Sequence, residues 1–250
     1  MLAVVYSVIL AVLNFPLRFI ILLTALPIFA SSLCLLPAKT RKIEPQPSQA
    51  KPQTESEITQ GQKRNSFVFK AILVSATLFG FSFYSLGFPV LTVSQSTGNV
   101  ALGIIVYGIY LGISGFAGFL LGSVRGKKPL GTLWKLGYFL AAFSSLAIGV
   151  SYTLNYGLPL YYLAAAGLGF ATGSVETFEP VLTSMLVKPS RLSRGMGWLS
   201  LSRALGLFIS NLVVGLLFSL SQLDAYTYAF STSIVAAVIL GITQLKTHMD

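Results

Sequence analysis

The sequence predicts an all-α integral membrane protein. Three observations carry this. Of 250 residues, 54% are hydrophobic and 10% charged, with a mean hydropathy of +0.77; a soluble domain carries roughly 25% charged residues. Several apolar runs reach or exceed the ~20 residues that cross a bilayer as a helix. The Lys and Arg residues that give the net charge of +10 sit at the ends of those runs, the pattern that orients membrane helices rather than a nucleic-acid-binding surface. The runs do not alternate in polarity as barrel strands do, so helices, which satisfy their own backbone groups, are expected. Cys34 is the only cysteine, which excludes a disulfide scaffold.

Eight apolar segments lie along the chain, at 2–13, 19–36, 67–93, 100–122, 130–152, 158–187, 196–220 and 225–245. The first is too short to span alone. The third and sixth are long enough for tilt or a break. Residues 1–36 lack a basic start and run too long for a signal peptide. Residues 38–65 hold Pro45, Pro47, Pro52 and mixed charge, which cannot bury a core, so a flexible linker is expected there. The chain thus divides into an N-terminal piece (1–37), the linker (38–65) and a six-helix block (66–250).

Orientation is set by charge. The linker carries Lys39, Arg41, Lys42, Lys51, Lys63 and Arg64; the turn 123–129 carries Arg125, Lys127 and Lys128; the turn 188–195 carries Lys188, Arg191 and Arg194. Turns 94–99, 153–157 and 221–224 carry no basic residue, and Arg18 alone lies on their side. The linker and C-terminus are therefore expected to be cytoplasmic, in a multi-pass protein of the cell membrane. Tyr152, Tyr156, Tyr161, Tyr162, Tyr226 and Tyr228 cluster near the outer boundary as an aromatic belt would.

Charges inside the spans are costly and mark structure or function. Glu176 and Glu179, three residues apart, share a face of the sixth segment, and Arg203 lies in the seventh. At 1.5 Å per residue, Glu179 lies about 14 Å from Lys188 and Arg203 about 14 Å from Arg194. The two helices are antiparallel, so acid and base reach one depth, and an ion pair of Glu176 or Glu179 with Arg203 is expected. It would lock two helices, make one Glu a proton-coupling or substrate-binding group, or lie in a wet cavity. Pro180 should bend the helix, with Gly169 and Gly173 on the same stripe, as a packing seam or a flexible cavity wall. Gly108, Gly112, Gly115, Gly118 and Gly122 form one smooth face, for close helix approach or for sliding. Lys70 and Lys135 can snorkel to the interface. Phe79, Phe81, Phe83, Tyr84 and Phe88 enrich the third segment, which should end near Pro89; they are expected as lipid-facing and core aromatics, or Tyr84 could hydrogen-bond a substrate. Asn211 is expected to bond a neighbouring helix, and Asp224 to cap the last one.

No catalytic set is visible. His248 is the only histidine, and no His, Cys and carboxylate spacing fits a metal. No Gly-Lys-Ser/Thr comes after the glycines, so neither a phosphate loop nor any cofactor motif is expected.

Three sequence features resemble the major facilitator superfamily of transporters. The run Gly115-Phe-Ala-Gly118-Phe-Leu-Leu-Gly122-Ser-Val-Arg125-Gly126-Lys127-Lys128 is similar to its glycine-rich helix end and basic cytoplasmic turn. Pro189-Ser-Arg191-Leu-Ser-Arg194-Gly195-Met-Gly197, with Gly206 and Gly215 further on, resembles the start of the fifth helix in its C-terminal half. Asn14-Phe-Pro-Leu-Arg18-Phe19, a helix, Pro37 and a basic linker resemble the end of its N-terminal half. The chain departs from the family at Gly122, where an Asp is usual, and its basic turn is one residue longer.

The resemblance implies a major-facilitator-like six-helix bundle preceded by about one and a half transmembrane helices. It implies a secondary active or facilitative carrier of a small solute by alternating access, with 67–93 as a cavity-lining helix. Gly118, Gly122, Arg125, Gly126, Lys127 and Lys128 would form a cytoplasmic gating turn. Four helices and part of a fifth of the family's N-terminal half have no counterpart. The expectation is therefore a truncated or mis-started carrier, or one half of an assembly completed by that half or by a second copy. The rival expectation is a non-transporting membrane subunit, a degenerate half that packs against a partner. Sparse charge favours a neutral, apolar or cationic solute over a polyanion.

The orientation has a direct check. In a Cys34→Ala background, Ser190→Cys is expected to react with an impermeant maleimide only from the cytoplasmic face, and Leu154→Cys only from the outer face. Labelling of both from one face would overturn the topology.

Overall fold

The prolines of the linker stretch all precede residue 53, and residues 53–64 are rich in Glu, Gln, Lys and Arg, good helix formers. Accordingly α1 begins at Glu55 and runs to Ser82, so residues 55–65 are helical rather than the loose connection that composition suggests. The computed structural model describes residues 55–123 and 129–247. The expected N-terminal piece, the linker up to residue 54, Arg125, Gly126, Lys127, Lys128 and His248 lie outside the described residues. The chain divides between Ile58 and Thr59, and the bundle forms the unit Thr59–Asp250.

Every element among the described residues is helical. Six segments are long and apolar enough to cross a membrane: Arg64–Thr97, Val100–Gly122, Pro129–Thr153, Leu158–Leu186, Pro189–Leu220 and Gln222–Thr247. This is the architecture of a multi-pass membrane protein, with the spans close to those the hydropathy marks.

The first segment is broken. After Ser82 the chain turns, with Phe83 N–H donating to the Gly80 carbonyl at 3.1 Å, and resumes as α2, Gly87–Thr97. Pro89 does not end the segment as expected. It is buried in the first turn of α2, where its missing N–H costs nothing. Gly98 closes α2 at φ +66°, a left-handed conformation that glycine adopts without penalty. Asn99 Oδ1 then accepts from Ala101 N–H at 2.9 Å and caps α3, Val100–Ser123.

The third segment, α4 (Pro129–Thr153), contains a π-helical stretch over Leu133–Phe139. Such stretches re-aim side chains within a helix and recur at functional sites. Helix α5, Leu158–Leu186, is the central element: it packs on α3, α4 and α6 (Leu192–Leu220). A 3₁₀ turn, Pro189–Arg191, leads into α6. The last helix, α7 (Gln222–Thr247), packs on α4 and α6. Its cap is Ser221, whose Oγ accepts from Asp224 N–H at 3.3 Å; Asp224 itself sits in the first turn, where its charge favours the helix dipole.

Glycines set the closest approaches. A β-carbon at Gly80 would lie 2.8 Å from Gly206 Cα, and one at Gly206 would collide with the Thr77 carbonyl oxygen and lie 2.6 Å from Gly80 Cα. Gly169 and Gly173 press on the backbone of Tyr110 and Ser114, so the expected packing seam is met by α3. The α3 glycine stripe behaves differently: β-carbons at Gly108, Gly115 and Gly122 would meet nothing within 4 Å among the described residues. Two residues of the expected outer belt also belong elsewhere. Tyr161 and Tyr226 are buried, and Tyr226 packs edge-on against Tyr84 at 5.6 Å while sharing a 2.7 Å hydrogen bond with Thr92. Tyr152 and Tyr156 are exposed as a belt requires.

Gly206→Val inserts three carbons where backbone already touches backbone, and is expected to destabilise the bundle by about 1–3 kcal/mol. Gly115→Ala, mid-helix and in open space, is expected to leave stability unchanged or raise it by up to about 1 kcal/mol. Thermal unfolding of both variants in detergent checks the contrast; equal behaviour would remove the Gly80–Gly206 contact as a packing constraint.

Candidate functional site

Glu179 has no exposed surface, though it lies in a membrane-length helix. A carboxylate there needs partners within the protein. Arg203 Nε donates to Glu179 Oε2 at 2.6 Å, and Arg203 Nη2 donates to the Val175 carbonyl at 3.2 Å. The expected acid–base pair between α5 and α6 is therefore present, and Glu179 is the acid that forms it. Depth explains the match: Glu179 lies about 10 Å from the Leu186 end of α5, and Arg203 about 16 Å from the Leu192 end of α6, within reach of a guanidinium on a long side chain.

The second carboxylate oxygen receives a donor that sequence reasoning missed. Tyr138, in the π-helical stretch of α4, donates its hydroxyl to Glu179 Oε1. Tyr138 is itself held on three sides. Its ring stacks on Phe79 of α1 at 4.7 Å, its carbonyl accepts from Ser233 Oγ of α7 at 2.7 Å, and Gly137 beside it packs under Val175. Nothing in the local sequence around Tyr138 marks it. Only the winding of α4 and the depth of Glu179 bring them together.

Glu176 faces elsewhere. Nearly one helical turn before Glu179, it is exposed and lines a cavity of about 180 Å³ together with Phe79, Gly80 and Phe83, Thr172 and Val175, and Arg203, Ala204 and Leu207. The cavity thus lies between the end of α1, the middle of α5 and the middle of α6. Among the described residues Glu176 has no ion-pair partner. Pro180 cannot donate to the Glu176 carbonyl, which weakens the helix at this level.

The break between α1 and α2 borders the cavity through Gly80 and Phe83, and it is held from α6. Asn211 Oδ1 accepts from Ser85 N–H at 2.9 Å, while Asn211 Nδ2 donates to the Leu207 carbonyl at 3.1 Å. Asn211 therefore does bond a neighbouring helix segment, and the group it satisfies is a backbone donor freed by the break.

Tyr84 lies apart from the cavity lining. It is buried, its hydroxyl donates to Ser145 Oγ at 3.1 Å, and its ring packs on Tyr226 and Phe88. Of the expected gating turn, Gly118 and Gly122 lie on α3, Gly118 beside Thr177 and Gly122 in open space. Lys135 is exposed, with its ammonium 5.2 Å from the centre of the Trp134 ring. Among the described residues no three His, Cys, Asp or Glu side chains group as metal ligands.

No described protein family, curated protein or solved structure matches the chain.

Removing Arg203 leaves a fully buried carboxylate with only Tyr138 as donor. Arg203→Met is expected to cost about 3 kcal/mol, the lower end for a broken buried pair because Arg203 is partly exposed. Tyr138→Phe is expected to cost about 1 kcal/mol. Adding Glu179→Gln to Arg203→Met is expected to restore part of the loss, as a double-mutant cycle by chemical unfolding in detergent would measure. Strict additivity of the two changes would contradict the pair.

Proposed function

We propose that the chain is a major-facilitator-like carrier, or one half of one, that moves a small solute by alternating access in the cell membrane. Its linker and C-terminus face the cytoplasm. The observation that carries this reading is the cavity between α1, α5 and α6, which places two ionisable groups, Glu176 and Arg203, well inside membrane-length helices. Solute sites of secondary carriers are built in this way, near mid-membrane and beside interrupted helices. The α1–α2 break supplies the interruption here. The Glu179–Arg203–Tyr138 cluster reaches the cavity only through Arg203, which it holds in place, and Glu176 is the charged group left for a solute. The expected glycine-rich helix end and basic turn of α3 support the same family reading. A second copy of the chain, or an N-terminal half of the family's kind, would complete the cavity on its open side.

A second reading has its own support. In α3 and α6 only 17% of the most apolar stretch is buried, against 39–56% in the other four spans. Such bare helices suit a non-transporting subunit that packs against another membrane protein as well as they suit lipid.

Counterflow in proteoliposomes, run with a panel of small neutral, cationic and anionic radiolabelled solutes, separates the two. The carrier reading expects at least one solute to accumulate several-fold above protein-free vesicles, and Leu207→Trp, which fills the cavity, to abolish it while the protein stays folded. Absence of counterflow for the whole panel, with the chain recovered in complex with another membrane protein, would favour the subunit.

A further inference from the structure

We infer that the cavity binds a compact organic cation, an alkylammonium ion of about choline size, with the Glu176 carboxylate as its counter-ion. The inference rests on the carrier reading of the same cavity and names its substrate class.

The charges decide the sign. Two carboxylates and one guanidinium meet at this level of the bundle. Glu179 engages Arg203 at 2.6 Å, and a second guanidinium nitrogen is turned to the Val175 carbonyl at 3.2 Å. The positive charge is therefore matched inside the protein. Glu176 is not: it lines the cavity with neither an ion pair nor a side-chain hydrogen bond among the described residues. The cavity keeps one unbalanced negative charge. An anion would meet Glu176 first and find Arg203 already bound.

The walls decide the kind of cation. Phe79 and Phe83, with ring centroids 6.0 Å apart, line the cavity with Val175, Ala204 and Leu207. Aromatic faces and aliphatic carbon attract a cation whose charge is spread under alkyl groups. A bare metal ion needs a shell of several oxygens. Besides the two charged residues, the only polar side chain of the lining is Thr172, whose hydroxyl already donates to the Leu168 carbonyl at 3.0 Å and accepts from Tyr110 at 2.9 Å. A volume of about 180 Å³ suits a small quaternary ammonium ion and excludes a long polycation.

The test uses three molecules of nearly one shape. Choline carries the charge, 3,3-dimethylbutan-1-ol replaces its nitrogen by carbon, and 3,3-dimethylbutanoate is the anion. Equilibrium dialysis against the full chain in nanodiscs is expected to show choline bound at least about tenfold tighter than the neutral alcohol, with the carboxylate weakest. Glu176→Gln, which neutralises a side chain without a partner, is expected to keep wild-type thermal stability and to erase the preference. Equal binding of choline and the alcohol, no binding of choline, tighter binding of the carboxylate, or a preference that survives Glu176→Gln would each overturn the inference. If that variant does not fold, the comparison of the three molecules on the wild-type chain decides alone. Choline counterflow separates this inference from the carrier reading. Selective binding without counterflow leaves the cation site standing and removes the carrier. Counterflow of neutral or anionic solutes without cation preference does the reverse.

Discussion

A carboxylate with no exposed surface, set among helices that cross lipid, has to find all its partners inside the protein. Glu179 is that group, and four helices are arranged around it. Arg203 reaches it from α6 and Tyr138 from α4, while Phe79 of α1 stacks on Tyr138 and Ser233 of α7 holds the Tyr138 carbonyl. Desolvating a carboxylate costs several kcal/mol, and two donors with good geometry offset it. The rotation of α5 and α6 about their own axes is constrained by this one cluster. A turn of either helix would separate the pair and leave a bare charge. The rotation in turn fixes which residues of α5 face the cavity, and so places Glu176 there.

Close backbone contact and the interrupted first span obey the same logic. In lipid there is no water to satisfy an exposed N–H, so a break in a helix survives only where the protein supplies an acceptor. Asn211 supplies it to Ser85. The acceptor can reach only because α1 and α6 approach to backbone contact at Gly80 and Gly206. Break, glycine contact and cavity are thus one local solution: the glycines bring α6 against α1, Asn211 stabilises the interruption, and the space beside it is lined by Gly80, Phe83 and Leu207.

The division of labour between the two acids is a consequence of helical geometry. Three residues apart, Glu176 and Glu179 point about 60° from each other around the axis. One can be fully enclosed while the other looks into open space. The enclosed acid pairs with the arginine, and the open one lines the cavity with no ion-pair partner among the described residues.

The sequence by itself determined the six spans and the common depth of the intramembrane acid and base, and its basic turns predict an orientation. Each of these depends on residues near one another in the chain: runs of apolar side chains, basic turns, and distances counted along two consecutive helices. Asn211 as a bridge between segments was legible for the same reason, since a polar amide in lipid must bond something. Only the tertiary structure decided which partner each group meets. Glu179 rather than Glu176 binds Arg203, because the choice turns on helix rotation, which both carboxylates leave open in the sequence. Tyr138 joins them because a π-helical stretch, invisible in composition, re-aims α4. Gly169 and Gly173 are packed while Gly108, Gly115 and Gly122 are bare, because a small-residue stripe records that a helix can approach and not that one does. Tyr161 and Tyr226 read as interfacial and lie in the core instead, while Tyr84 takes the core position that is one of its two readings. A tyrosine's hydroxyl can be satisfied by Ser145 or Thr92 as well as by water, and only the fold brings those partners within reach.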